Sequence, residues 1–236
     1  MSWVIIVLIV VAAVSSGLTL KRAAAGNFKK PVGRMYKKQY SRRGFLTQGV
    51  MITGAAVLVY SGADEAFDSW HTKSVKSDST DNAANFLNHI GERKWFFAWA
   101  GLAATDALLA STPFSRWGRK TCESIIVGLP MLWGTQYLLG ASRPKETGSP
   151  KYDPFNDDNS ASGHTFMAAI PMLTLAKSQA PAPAKIAGYL GSLPVGWARM
   201  NDRKHYLSQV LLGYGMAWNA VTLQESSNHS ENHLQS

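Results

Sequence analysis

A block of nine lysines and arginines stands between two apolar runs near the start of the chain, and it limits what the rest can fold into. The first run, Trp3 to Val14, is unbroken, and no charge appears until Lys21. About 18–20 residues of this kind, at 1.5 Å rise each, cross the core of a bilayer. Lys21, Arg22, Lys29, Lys30, Arg34, Lys37, Lys38, Arg42 and Arg43 follow without an acid among them, and the second run covers Leu46 to Tyr60. Positive charge collects on the cytoplasmic side of spans, so this order predicts a cytoplasmic basic loop between two N-terminal spans, with the remainder outside. No basic residue precedes the first run, which argues against a cleaved signal peptide. Ser41-Arg42-Arg43-Gly44-Phe45-Leu46 is similar to a twin-arginine export signal, but a basic flank of a second span explains it better so far from the N-terminus. The charge of +9 is concentrated in this block, and no basic stripe interleaved with aromatics appears elsewhere, which argues against nucleic acid as a partner.

The rest reads as all-α, because β-branched alternation is scarce. The division expected is a membrane-anchor region over 1–62, a polar external linker over 63–83, a helical bundle over 84–223 and a polar, frayed tail over 224–236. Ser74 to Asn85 reads as a loop. Helical stretches are expected near 84–112, 120–141, 163–177, 184–199 and 204–223, separated by turn signals at Pro113, at Gly148 and Pro150, and at Pro181 and Pro183. Asp106, Gln136 and Asn219 interrupt these stretches, and an ionisable residue inside a span is costly. Two architectures therefore stay open: every apolar stretch spans, or two N-terminal spans hold a bundle outside the membrane or at its surface. Cys122 is the only cysteine, so an internal disulfide is excluded.

Three clusters carry chemistry. Arg143-Pro144 ends one apolar stretch, Ser160-Ala161-Ser162-Gly163-His164 precedes another, and Arg199 is followed six residues later by His205. Two guanidiniums, two imidazoles and a helix N-terminus suit a phosphoryl group. Arginine offers phosphate a planar fork of donors, and the first N–H groups of a helix lack intrahelical partners. Gly163 lets an oxyanion approach the backbone, and histidine titrates near neutrality. Each piece alone also reads as a helix exit, a loop with an N-cap or a surface histidine.

The order and spacing of the clusters resemble the type 2 phosphatidic acid phosphatase superfamily, over about residues 84–223. That superfamily has Lys, six residues, Arg-Pro; then Pro-Ser-Gly-His; then Ser-Arg, five residues, His, three residues, Asp. This chain has Gln136, six residues, Arg143-Pro144; then Ala161-Ser162-Gly163-His164; then Ala198-Arg199, five residues, His205, three residues, Gln209. The resemblance implies a helical bundle that hydrolyses phosphate monoesters or diphosphates without metal or other cofactor. His205 would attack phosphorus and form a phosphohistidine. His164 would protonate the leaving oxygen and then activate water. Arg143, Arg199, Ser162, Gly163 and Gln136 would hold phosphate oxygens, and Gln209 would orient the nucleophile. Gln136 and Gln209 replace a lysine and an aspartate, which removes one charge of each sign, and a glutamine carbonyl can still accept the imidazole N–H. Ala161 for proline costs loop stiffness, and Ala198 for serine costs a donor. Asp153, Asp157 and Asp158 lack a calcium-loop pattern and read as a solvated rim. The expected activity is that of a lipid phosphate or lipid diphosphate phosphatase on the outer face of a bacterial inner membrane. The alternatives are a member that binds phosphate without turnover and a vanadate-dependent haloperoxidase-like protein.

Overall fold

The structure, a computed structural model, describes residues 22–109, 111–146 and 149–232. The run Trp3 to Val14 and the turn residue Gly148 lie outside the described residues. Those described form an all-helical fold with no strand among them. In chain order the helices are α1 (Arg22–Gln39), α2 (Arg42–Tyr60), α3 (Ala63–Ser74), α4 (Asp78–Asn88), α5 (Trp95–Leu108), α6 (Pro113–Leu139), α7 (Gly163–Ala176), α8 (Ala182–Gly191), α9 (Pro194–Asn201) and α10 (Leu207–Asn232), with a 3-10 turn over His89–Gly91.

Helix α6 is the spine of the bundle. Pro113 occupies its first turn, and Thr112 and Ser115 form a capping box there, each side chain bonded to the other's backbone N–H. It packs against α5, α7, α10 and α1. Phe96, Ile125, Leu132, Phe166, Ile170, Leu173 and Leu212 fill the space between them and are buried. Each such side chain contributes roughly 1.5–3 kcal/mol relative to exposure. Asp106 does not lie bare among these apolar neighbours. It pairs with Arg119 at 2.7 Å, and Arg119 also meets the buried Glu123 at 2.7 Å.

Several boundaries differ from those expected. The stretch 84–112 is broken by the His89–Gly91 turn, and 184–199 is broken before Pro194. Residues 63–83 are not a linker: they form α3 and most of α4, and Ser77 starts α4 with a capping box to Thr80. Their polar composition reflects side chains that bond to the bundle, as described below. The tail is not frayed at Gln224. Helix α10 continues to Asn232, and the buried Gln224 donates to Glu123 at 2.9 Å while Lys120 pairs with Glu225 at 2.9 Å. Helix α1 lies along the same helix, where Asn219 donates to Gln39 at 2.8 Å and Lys38 to Ser226 at 3.1 Å.

Among the described residues no single helix is long and apolar enough to cross a membrane. The second apolar run forms α2, capped by Ser41, and passes that test only together with α3, to which it is bent by 64°.

Close helix packing supplies a stability test. A Cβ on Gly213 of α10 would lie 2.5 Å from the Ser162 carbonyl oxygen, whereas one on Gly134 of α6 would meet nothing within 4 Å. Gly213→Ala should destabilise by ~1–3 kcal/mol, because backbone must move to admit the methyl. Gly134→Ala should stabilise by ~0.5–1 kcal/mol through helix propensity. Denaturant unfolding of both variants measures the contrast.

Candidate active site

The three clusters that the sequence singles out meet at the end of the bundle where α6 finishes and α7 and α10 begin. Gly140 ends α6 with a φ of 54°, and a Cβ there would overlap the Asp153 carbonyl, so only glycine lets the 141–162 loop turn back across the helix end. The loop is then fixed to α6. Ser160 donates to the Thr135 carbonyl at 3.1 Å, and Gln136 Nε2 donates to the Ala161 carbonyl at 2.7 Å.

Gln209 joins the clusters to one another. Its Oε1 lies 2.9 Å from His205 Nδ1 and accepts from the Tyr206 N–H at 3.2 Å. Its Nε2 donates to the Ser142 carbonyl at 3.0 Å, and its backbone carbonyl accepts from the Ser162 N–H at 2.8 Å. A backbone N–H at one end and a carbonyl at the other leave a single amide orientation, with oxygen facing the imidazole. His205 Nδ1 must therefore carry the proton, and Nε2 is left with a lone pair.

His205, His164, Arg143, Arg199, Gly163 and Gln136 line one cavity of about 120 Å³. At about 30 Å³ per water, it holds an anion the size of phosphate or several waters. Arg199 is buried at 9% exposure, donates through Nη1 to Asn88 at 3.2 Å, and has no hydrogen-bond partner at its buried Nε. Arg143 is held by Asn159 at 3.0 Å and by Glu146 at 3.3 Å. One expected phosphate holder serves elsewhere. The Ser162 hydroxyl is the N-cap of α7, accepting from the N–H and the hydroxyl of Thr165, and Ser162 does not line the cavity. Gln136 lines it, and one of its two amide N–H groups donates to Ala161. The loop acids Asp153 and Asp158 are exposed, as a rim would be, and Asp158 is among the residues that line the cavity.

The supports of the site lie outside the three clusters. Buried Asp64 of α3 accepts from the N–H of Ser208 at 2.9 Å and from its hydroxyl, capping the helix that follows His205. Asp68 grips Arg203 through two bonds, at 3.0 and 2.8 Å, and Arg203 holds the left-handed φ of 52° in the turn just before His205. Asn88 of α4 bonds both Arg199 and, at 2.6 Å, Asp202. Acids in the first turn after Gly62 and the Ser77 capping signal were the clues that helices start here. Arg93, in the turn before α5, also lines the cavity and belongs to no motif.

The electrostatics follow from burial among cations. His205 is pushed down to about 3, by desolvation first and then by Arg199. His164 is pushed down to about 4, by desolvation first and then by Arg199 and Arg93. Both imidazoles are neutral at pH 7, and the cavity carries the positive charge of its arginines. Comparison with protein-family models, curated proteins and solved structures finds no match.

Stability should respond to pH accordingly. Both histidines hold pKa values below the ordinary 6.5, so between about pH 4 and 6.5 the unfolded chain binds more protons than the folded one. Their contribution is complete above pH 6.5 and is lost as pH falls toward 4. The Tm should drop by about 5 °C or more across this window, and His164→Asn should flatten the drop. Thermal unfolding monitored by circular dichroism at a series of pH values measures it.

Proposed function

We propose that this protein is a membrane-associated phosphatase that hydrolyses a lipid phosphate or diphosphate through a phosphohistidine on His205, within the type 2 phosphatidic acid phosphatase superfamily that its motifs resemble. The observation that carries the reading is the convergence of His205, His164, Arg143 and Arg199 on one cavity, with the His205 tautomer set by Gln209. An unpartnered buried guanidinium nitrogen is costly, and a bound phosphoryl oxygen would relieve it.

In this reading Arg143, Arg199 and the N-terminus of α7 hold the phosphoryl oxygens. Nε2 of His205 forms a bond to phosphorus as the P–O bond to the leaving group breaks, with its electron pair staying on the oxygen. A bound dianion favours protonated His164, which gives its proton to that oxygen and then takes one from water. Water attacks the N–P bond, releases inorganic phosphate and returns the imidazole. Exposed Phe45, Leu46, Val50 and Val57 on α2, together with the basic residues of α1, support contact with a bilayer, and the N-terminal spans belong to the same proposal. The site then faces the outer side of the membrane, within reach of lipid headgroups.

A second reading, binding without turnover, is favoured by one observation. Gln136 lines the cavity without bringing it a charge, where the resembled motif has a lysine.

Phosphate release by the detergent-purified protein, from a panel of lipid phosphates and from nitrophenyl phosphate, separates the two. His205→Ala should abolish turnover. His164→Ala should slow alkyl phosphates by roughly 10²–10⁴-fold. It should slow nitrophenyl phosphate less, because that leaving group hardly needs a proton. Binding of lipid phosphate with no release from any substrate would favour the second reading.

A further inference from the structure

Arg93 differs from Arg199, the buried arginine of the cavity, in where it stands. Arg199 and His205 are buried at its inner end, at 9% and 6% exposure, whereas Arg93 is exposed and marks the mouth. The main chain sets that position. A Cβ on Gly91 would come within 2.8 Å of the His164 carbonyl oxygen and 3.0 Å of its Cβ, so the His89–Gly91 turn packs directly on the first turn of α7. On the other side the Phe96 N–H donates to the Arg93 carbonyl at 3.0 Å, and the Phe96 ring is buried in the core. Arg93 is thus carried on a segment tied at both ends and seated beside His164.

We propose that Arg93 is a specificity-determining residue that selects substrates whose leaving group is itself anionic, namely the phosphomonoester that departs from a terminal diphosphate. The inference rests on the phosphatase reading above. In-line displacement places the leaving oxygen opposite the attacking nitrogen. With His205 at the buried end, the leaving group faces the mouth and meets Arg93. Nε2 bonds to the terminal phosphorus, the bridging P–O bond breaks, and its electron pair leaves on a phosphate oxygen. Water then cleaves the N–P bond to release inorganic phosphate.

A departing alcohol offers Arg93 nothing to bind, but a departing phosphate offers it several oxygens in the geometry of its fork. Such a group also needs a proton from His164 less than a departing alkoxide does. The position where the resembled motif has a cation does not compete for this role, since Gln136 is neutral and bonded to Ala161.

The full-length protein in detergent is assayed on decyl monophosphate and decyl diphosphate, as wild type, Arg93→Ala and Arg93→Lys. Arg93→Ala should lower kcat/KM on the diphosphate by about 10-fold, the size of one lost charge-assisted contact. Its effect on the monophosphate should stay within about 3-fold, with Arg93→Lys recovering part of the diphosphate loss and the Tm unchanged. An equal loss on both substrates, or a ratio unchanged from wild type, would overturn the inference while leaving the phosphatase reading intact. A wild-type protein that cleaves neither substrate would overturn both.

Discussion

The rest of the site depends on the buried amide of Gln209. At 1% exposure it has no water to fall back on, and its side-chain oxygen, side-chain nitrogen and backbone carbonyl each find a protein partner. Through it the loop after α6, the loop before α7 and the turn before α10 become one rigid unit. Leaving one of these groups unsatisfied would cost about 1–3 kcal/mol. An aspartate here would accept from the imidazole, but it has no donor for the Ser142 carbonyl, and it would place a charge in a fully buried position. A neutral amide avoids both costs and still fixes which nitrogen of His205 carries the proton. The site therefore gives up the stabilisation that a carboxylate lends to an imidazolium and gains a neutral imidazole of fixed tautomer, in keeping with an environment that already disfavours the charged ring.

The turn that carries His205 is unfavourable by itself, since Arg203 adopts a left-handed backbone at a cost of order 1–3 kcal/mol. Asp68 opposes that cost with a forked ion pair, and Asp64 completes the first turn of α10 a few residues later. Both acids come from α3, four residues apart and so on one face of the helix. Helices α3 and α4 thus form a belt around the end of the bundle that holds the candidate site. The bend between α2 and α3 turns the chain from the apolar surface of α2 onto this belt, which couples the candidate membrane-facing part to the candidate nucleophile.

The all-helical class and the convergence of two histidines and two arginines were legible in the sequence, because both are local: helix-length apolar stretches, and residues at fixed spacing from helix ends. Capture of the imidazole by the Gln209 carbonyl was legible for the same reason, being a bond over four residues. What stayed hidden depends on pairings between distant segments. Residues 63–83 look like a linker until Asp64 and Asp68 are seen to bond Ser208 and Arg203. Gln224 looks like the start of a frayed tail until it meets Glu123, 101 residues away. Ser162 was assigned to phosphate because its place in the motif says nothing of whether the hydroxyl turns to the cavity or back to Thr165. Arg93 was invisible because only the packing of Gly91 on His164 brings it to the cavity.

The most direct measurement is chemical trapping of the intermediate. The protein is mixed with a labelled phosphate ester or diphosphate, quenched with alkali during turnover, digested and sequenced by mass spectrometry. A phosphate attached to nitrogen survives alkali and is lost in mild acid. The account predicts such a label on His205, reduced in Gln209→Leu, where the imidazole loses its fixed tautomer, and absent in His205→Ala. Turnover with label on another residue, or with no covalent label while phosphate accumulates at the wild-type rate in His205→Ala, would contradict it.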